Sequence, residues 1–92
     1  MAQVIVTLKI MPESPEVDLD ALNRQIITEI TKFSGETETR SSQEPIAFGL
    51  KALNVIFVSE ESKGSVDALE DKIRKLDGVQ SVEVTDVRRA IG

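Results

Sequence analysis

Apolar residues recur along the chain first with the period of a strand and then with the period of a helix. From Gln3 to Ile10, Val4, Val6, Leu8 and Ile10 fall on one face, and Ile5 adds an apolar residue to the other. That is the pattern of a central strand. Pro12 and Pro15 interrupt it, so residues 11–17 are a predicted loop. From Asp18 the period changes. Leu19, Leu22, Ile26, Ile30 and Phe33 make one stripe on a helix, with Asp18 placed to cap its start and Gly35 to end it.

Residues 36–44 (ETETRSSQE) are polar and rich in Thr and Ser, so they form either an edge strand solvated on one side or a long loop. The Thr content favours the strand. Residues 50–58 (LKALNVIFV) are apolar on both faces and read as a second central strand. Residues 60–64 are a loop, and Ser65 is placed to cap a second helix carrying Val66, Leu69, Ile73 and Leu76 on one stripe. Glu70–Arg74 and Asp71–Lys75 have the spacing of ion pairs on its exposed face, and Gly78 ends it. Residues 79–87 (VQSVEVTDV) alternate with one polar face, an edge strand, and residues 88–92 form a tail.

The order is βαββαβ, which the ferredoxin-like α+β fold shares. That fold predicts a four-stranded antiparallel sheet in the order 4-1-3-2, with two helices on one face. The pattern agrees, because strands one and three are the doubly apolar ones and belong in the middle. The other sheet face is then open. No internal repeat, linker or low-complexity stretch interrupts residues 1–92, which read as a single domain.

The 92 residues, 40% hydrophobic and 29% charged, suit a small soluble domain. A chain of this length buries roughly 60–65% of its unfolded surface. No apolar run reaches the length of a membrane span, and the start lacks the basic residues of a signal peptide, so a cytoplasmic protein is expected. A net charge of −5 argues against a general nucleic-acid binder and otherwise serves solubility. The chain has no His, Cys, Trp or Tyr. It therefore lacks an imidazole base, a thiolate nucleophile and the commonest metal ligands. Composition thus points to a binding protein without metal or cofactor rather than to an enzyme.

Residues 45–63, PIAFGLKALNVIFVSEESK, are the most distinctive stretch. Phe48, one of three aromatic residues, stands beside Gly49 at the mouth of a strand and outside its alternation. The Pro-Ile-x-Phe-Gly-Leu-Lys-x-Leu sequence resembles that of the nucleotide-exchange domain family of elongation factor 1-beta. The resemblance extends over nearly the whole chain, with residues 45–63 as its specific part. Eukaryotic members carry additional N-terminal segments, and the chain resembles the archaeal, stand-alone form in having none.

The resemblance implies exchange of GDP for GTP on elongation factor 1-alpha. It places Phe48, with Ile46, Gly49 and Lys51, on the surface that meets this GTPase. It adds the acidic-acidic-x-Lys loop Glu60, Glu61 and Lys63 beside that surface. In the eukaryotic family the chain ends with a Lys next to last, which reaches the Mg²⁺ and phosphate region of the GTPase. Aligned without gaps from Val79-Gln80-Ser81, Arg89 takes that place and Arg88 precedes it, with two residues left beyond the family's end. A planar guanidinium thus stands where the family has a compact ammonium. The resemblance further implies a monomer when free, with no direct nucleic-acid contact.

Each of these residues also has an ordinary explanation. Phe48 serves a core, Gly49 a turn, and Lys51, Glu60, Glu61, Lys63, Arg88 and Arg89 serve as solvated charges. The fold itself hosts other functions. RNA recognition would need stacked aromatic residues on the central strands, where Phe57 stands alone. Acyl-phosphate hydrolysis would need an anion-cradling loop after the first strand, where MPESPEV is acidic. The remaining rival is a small-molecule sensor or homo-oligomerisation module with no GTPase partner. It predicts a stable dimer that buries the open sheet face.

Overall fold

A computed structural model describes residues 3–35, 38–60 and 66–90. It contains β1 (Gln3–Pro12), α1 (Leu19–Ser34), β2 (Thr39–Pro45), β3 (Lys51–Glu60), α2 (Asp67–Arg74) and β4 (Val79–Ala90). All strand pairs are antiparallel in the order β2-β3-β1-β4, which is the expected order read from the other edge. This is the ferredoxin-like α+β fold.

The two central strands are the doubly apolar ones because they alone have neighbours on both sides. Val6, Leu8 and Ile10 of β1 and Leu53, Val55 and Phe57 of β3 are buried together on one face. Leu22, Ile26 and Ile30 of α1, with Leu69 and Ile73 of α2, close over them. Burying side chains of this size contributes about 1.5–3 kcal/mol each, which is what holds so short a chain together. The opposite sheet face is uncovered, and Ile56 is 39% exposed there.

Local chemistry sets the element ends. The Asp18 carboxylate accepts from the amides of Asp20 (3.1 Å) and Ala21 (3.2 Å), so it caps α1 as its position predicts. The Gly35 amide donates to Thr31 O at 2.8 Å and closes the other end. β1 runs through Met11 and ends on Pro12, which cannot donate to a ladder. Residues 39–45 are a strand, with every residue from Arg40 to Pro45 exposed. Ser41 Oγ donates to Asn23 Oδ1 at 2.8 Å and ties this edge to α1. The residue before α2 is Val66, and Ser65, predicted to cap that helix, lies outside the described residues. On α2, Asp71 pairs with Arg74 at 2.7 Å rather than with Lys75, and Glu70 also reaches Arg74 at 3.3 Å.

The largest departure from the pattern lies in β4. Its ladder continues to Ala90, so Arg88 and Arg89 are strand residues and not a tail. The hydrogen bonds offered by residues 3–5 of β1 explain this, because a paired backbone satisfies groups that a free tail would leave to water.

Candidate functional site

The strand register divides the sequence-predicted site residues between two ends of the sheet. Ile46, Phe48, Gly49 and Lys51 belong to the β2–β3 hairpin at one end. Glu60, Arg88 and Arg89 are at the other, where Gln3 pairs with Glu60 on one side and Ala90 on the other. β3 runs from Lys51 to Glu60, which at about 3.3 Å per residue separates the ends by about 30 Å. Glu61 and Lys63 lie outside the described residues.

The hairpin is closed by two backbone bonds, Ile46 N to Leu50 O (2.8 Å) and Leu50 N to Ala47 O (3.0 Å). Between them Phe48 has φ 58° and Gly49 φ 76°. Positive φ at both central residues is the signature of a type I′ turn, which matches the twist of its flanking strands. Glycine adopts that backbone freely and Asn tolerates it, whereas a bulky residue there is an outlier. The ring of Phe48 is 96% exposed. It gains no burial from the fold that strains its backbone, which removes the core explanation for this residue.

Lys51 is exposed at the base of the hairpin, opposite Pro45. Beside it a cleft of about 360 Å³ opens between the hairpin and the loop that leads into α1, with Pro12, Ser14, Asp18, Gln43, Gly49 and Lys51 among its walls. Sequence reasoning did not find this cleft, because the residues that form it are far apart in the chain.

At the other end, strand alternation sends the two arginines to opposite faces. Arg88 lies opposite Ile5 and Arg89 opposite Val4. Val4 packs against the core, so Arg89 is on the helix side and Arg88 on the open face. Arg88 Nε donates to Asp86 Oδ2 at 2.9 Å. The pattern gave no hint of this pairing, because Asp86 and Arg88 were assigned to a strand and a tail respectively. Both arginines are exposed. Among the described residues, no group of three or more acidic residues is placed to hold a metal ion, and no helix is long and apolar enough to cross a membrane.

Comparison with known proteins supplies the context for these two ends. Residues 5–90 match the EF-1 guanine nucleotide exchange domain. The chain is 46% identical over 89 residues to elongation factor 1-beta of Methanothermobacter thermautotrophicus, covering 97% of this chain and 98% of that protein. It is 49% identical over 90 residues to elongation factor 1-beta of Methanobrevibacter smithii, with the same coverage. Among solved structures, the de novo designed protein Foldit4 superposes with a TM-score of 0.63 at 21% identity, covering 98% of both chains, a likeness of fold alone. With a domain match across nearly its whole length and archaeal relatives of the same length at almost half identity, this chain belongs to the EF-1 guanine nucleotide exchange domain family.

Proposed function

We propose that this protein promotes exchange of GDP for GTP on elongation factor 1-alpha, gripping the GTPase with the Phe48 hairpin and acting on its nucleotide site with the Arg88–Arg89 end. The observation that carries the reading is Phe48 itself. A ring that is almost wholly exposed, on a backbone that disfavours it, has its use outside the folded monomer. An apolar anchor surrounded by smaller contacts is how protein interfaces concentrate binding energy. Ile46, Gly49 and Lys51 border that anchor on the same hairpin.

Exchange needs no bond made or broken in either protein, so the factor is not an enzyme in the chemical sense. It must bind the GTPase conformation with disturbed Mg²⁺ and phosphate contacts better than the nucleotide-bound one. By linkage it then weakens GDP binding by the factor with which GDP weakens its own. Roughly 4 kcal/mol of such coupling corresponds to about 10³-fold. A guanidinium brought to the metal site repels the ion and competes for its anionic ligands, the role assigned to Arg89 with Arg88 beside it. Glu60 stands at that end of the sheet, opposite Gln3. The free factor is a cytoplasmic monomer, and it reaches neither nucleic acid nor membrane directly.

The test is direct. Elongation factor 1-alpha loaded with fluorescent GDP is mixed with increasing amounts of this protein, and release is followed by stopped flow. Dose-dependent acceleration is expected. A folded GTPase whose release rate stays at its intrinsic value would exclude the exchange reading.

A further inference from the structure

The β2–β3 hairpin projects past the strand beside it. The last pair between β1 and β3 is Ile10 with Leu53, whereas the β2–β3 ladder runs two pairs further, to Pro45 with Lys51. β1 leaves β3 there and goes on along β4, where Pro12 lies opposite Val79. Gln43 pairs with Leu53, a core residue, so Gln43 is on the helix side, and Lys51, two residues before Leu53, shares that side. The cleft of about 360 Å³ is the space left between this projecting strand pair and the loop that leads into α1.

Both walls are fixed in the free protein. On the loop side, Glu13 bonds the backbone of Gly78 through its amide and its carboxylate, and the Asp18 carboxylate is taken up by the amides of Asp20 and Ala21. On the hairpin side, the closed turn and the bond from Ser41 to Asn23 hold β2 in place against α1. Asp20 stands on the loop wall and Lys51 on the hairpin wall, both exposed. Among the described residues neither side chain makes a hydrogen bond or an ion pair. Charges of opposite sign thus face one space without pairing across it.

We propose that this cleft is a second contact for the GTPase that Phe48 anchors. It receives a polar segment that presents a basic group to Asp20 and an acidic group to Lys51. The inference rests on the exchange reading above. Gly49 lines the cleft and follows Phe48 directly, so a surface that seats the ring lies at the cleft's mouth. The second contact has a mechanical use. A single ring in a pocket leaves the bar free to swing about it, and over the roughly 30 Å to the far end a swing of about 10° moves the cation by about 5 Å. Two opposite charges on fixed walls read the direction of the bound segment, because the reversed segment would meet like charges at both. The cleft therefore sets the angle at which the hairpin grips.

The chain has no Cys, so Gln43→Cys gives it a single thiol, and alkylation of that thiol with N-benzylmaleimide fills the cleft. Ser42→Cys is the control. It carries the same group one residue away on the open face, where Ser42 pairs with Asn54. Both positions are exposed on an edge strand, and circular dichroism checks that each alkylated variant is folded. Alkylation at position 43 is expected to lower the exchange rate over half-saturating concentration by about tenfold or more, and alkylation at position 42 to have little effect. Nucleotide-free GTPase should slow the alkylation of the thiol at 43 and not of the one at 42. Asp20→Lys and Lys51→Glu should each lower the same ratio by about threefold or more, less so as salt rises. No loss on alkylation at 43, or an equal loss at 42, overturns the inference and leaves the exchange reading standing. Charge reversals without effect overturn the acid–base segment as the occupant. An unaltered protein that does not accelerate GDP release removes the exchange reading and the inference with it.

Discussion

An asparagine at position 48 would suit the turn better than the phenylalanine that occupies it. Positive φ costs a non-glycine residue about 1–2 kcal/mol, less for Asn, and Asn-Gly is the preferred type I′ pair. Phe48→Asn should therefore raise the unfolding midpoint by a few degrees, as about 1 kcal/mol does in a domain of this size. It should also weaken binding to the GTPase by about 2 kcal/mol or more, the scale of an interface anchor. Thermal unfolding and a binding titration on the same variant read the two signs, and equal or lower stability would mean that the turn does not strain Phe48. The sequence marked Phe48 as a loop-tip residue because it breaks the strand alternation before a Gly. It did not show the strain, since a phenylalanine at this turn position runs against the preferences by which such turns are recognised. Asp18 was legible for the opposite reason. A short acidic side chain just before a helical stripe has one common use, and here it accepts two amides of the first turn. Asp18→Ala should cost about 1 kcal/mol in urea unfolding. Exchange should persist at denaturant concentrations where the variant remains folded, because the Asp18 carboxylate holds the helix start and not the hairpin tip.

At the scale of elements, strand type was readable wherever burial decides it. β1 and β3 are apolar on both faces because each lies between two strands, and their central places follow from that alone. Polar β2 left strand and loop open, because nothing in an exposed edge distinguishes the two. What keeps it a strand is its ladder with β3 and the tie from Ser41 to Asn23, a contact across 18 residues. The ladder of β4 with β1 is irregular at two places, between Thr7 and Leu8 and between Met11 and Pro12, so its helix-side residues run from odd Val79 to even Val82 and Val84 and back to odd Val87, a change of phase that a count of apolar residues passes over. Tracking phase rather than content along that strand would have found it, and with it the faces of Arg88 and Arg89. The link between α2 and β4 was read as a stop at Gly78 and proves to be a junction. Glu13 N donates to Gly78 O at 2.9 Å, and Gly78 N donates to Glu13 Oε1 at 3.2 Å. Gly78 has φ 91°, and a Cβ there would meet Val17 Cγ1 at 3.1 Å. Gly78→Ala should cost about 1–2 kcal/mol from the backbone alone, with the crowding against Val17 added. Chemical denaturation measures this, and an unchanged midpoint would show that the junction relaxes freely.

The whole molecule is a bar, 42 × 21 × 18 Å, with its two proposed contacts at opposite ends of the sheet. The sequence brought them together through their shared resemblance, but only the register shows the separation. Distance has an energetic consequence. Sites more than about 7–10 Å apart that share no partner residue contribute independently, within about 0.5 kcal/mol. Phe48 and Arg89 are separated by the length of β3, whose core-facing Leu53, Val55 and Phe57 are buried and hold the strand in place. Phe48→Ala should raise the concentration of factor needed for half-maximal exchange, and Arg89→Ala should lower the rate at saturation. In the double variant the two losses in the logarithm of rate over half-saturating concentration should add. A double variant no worse than the poorer single one would mean that the ends act as one unit, the hairpin serving only to deliver the cation. A loss well beyond the sum would mean that each end can partly replace the other. Simple addition identifies a rigid spacer whose length fixes where, relative to its grip, the cation meets the GTPase.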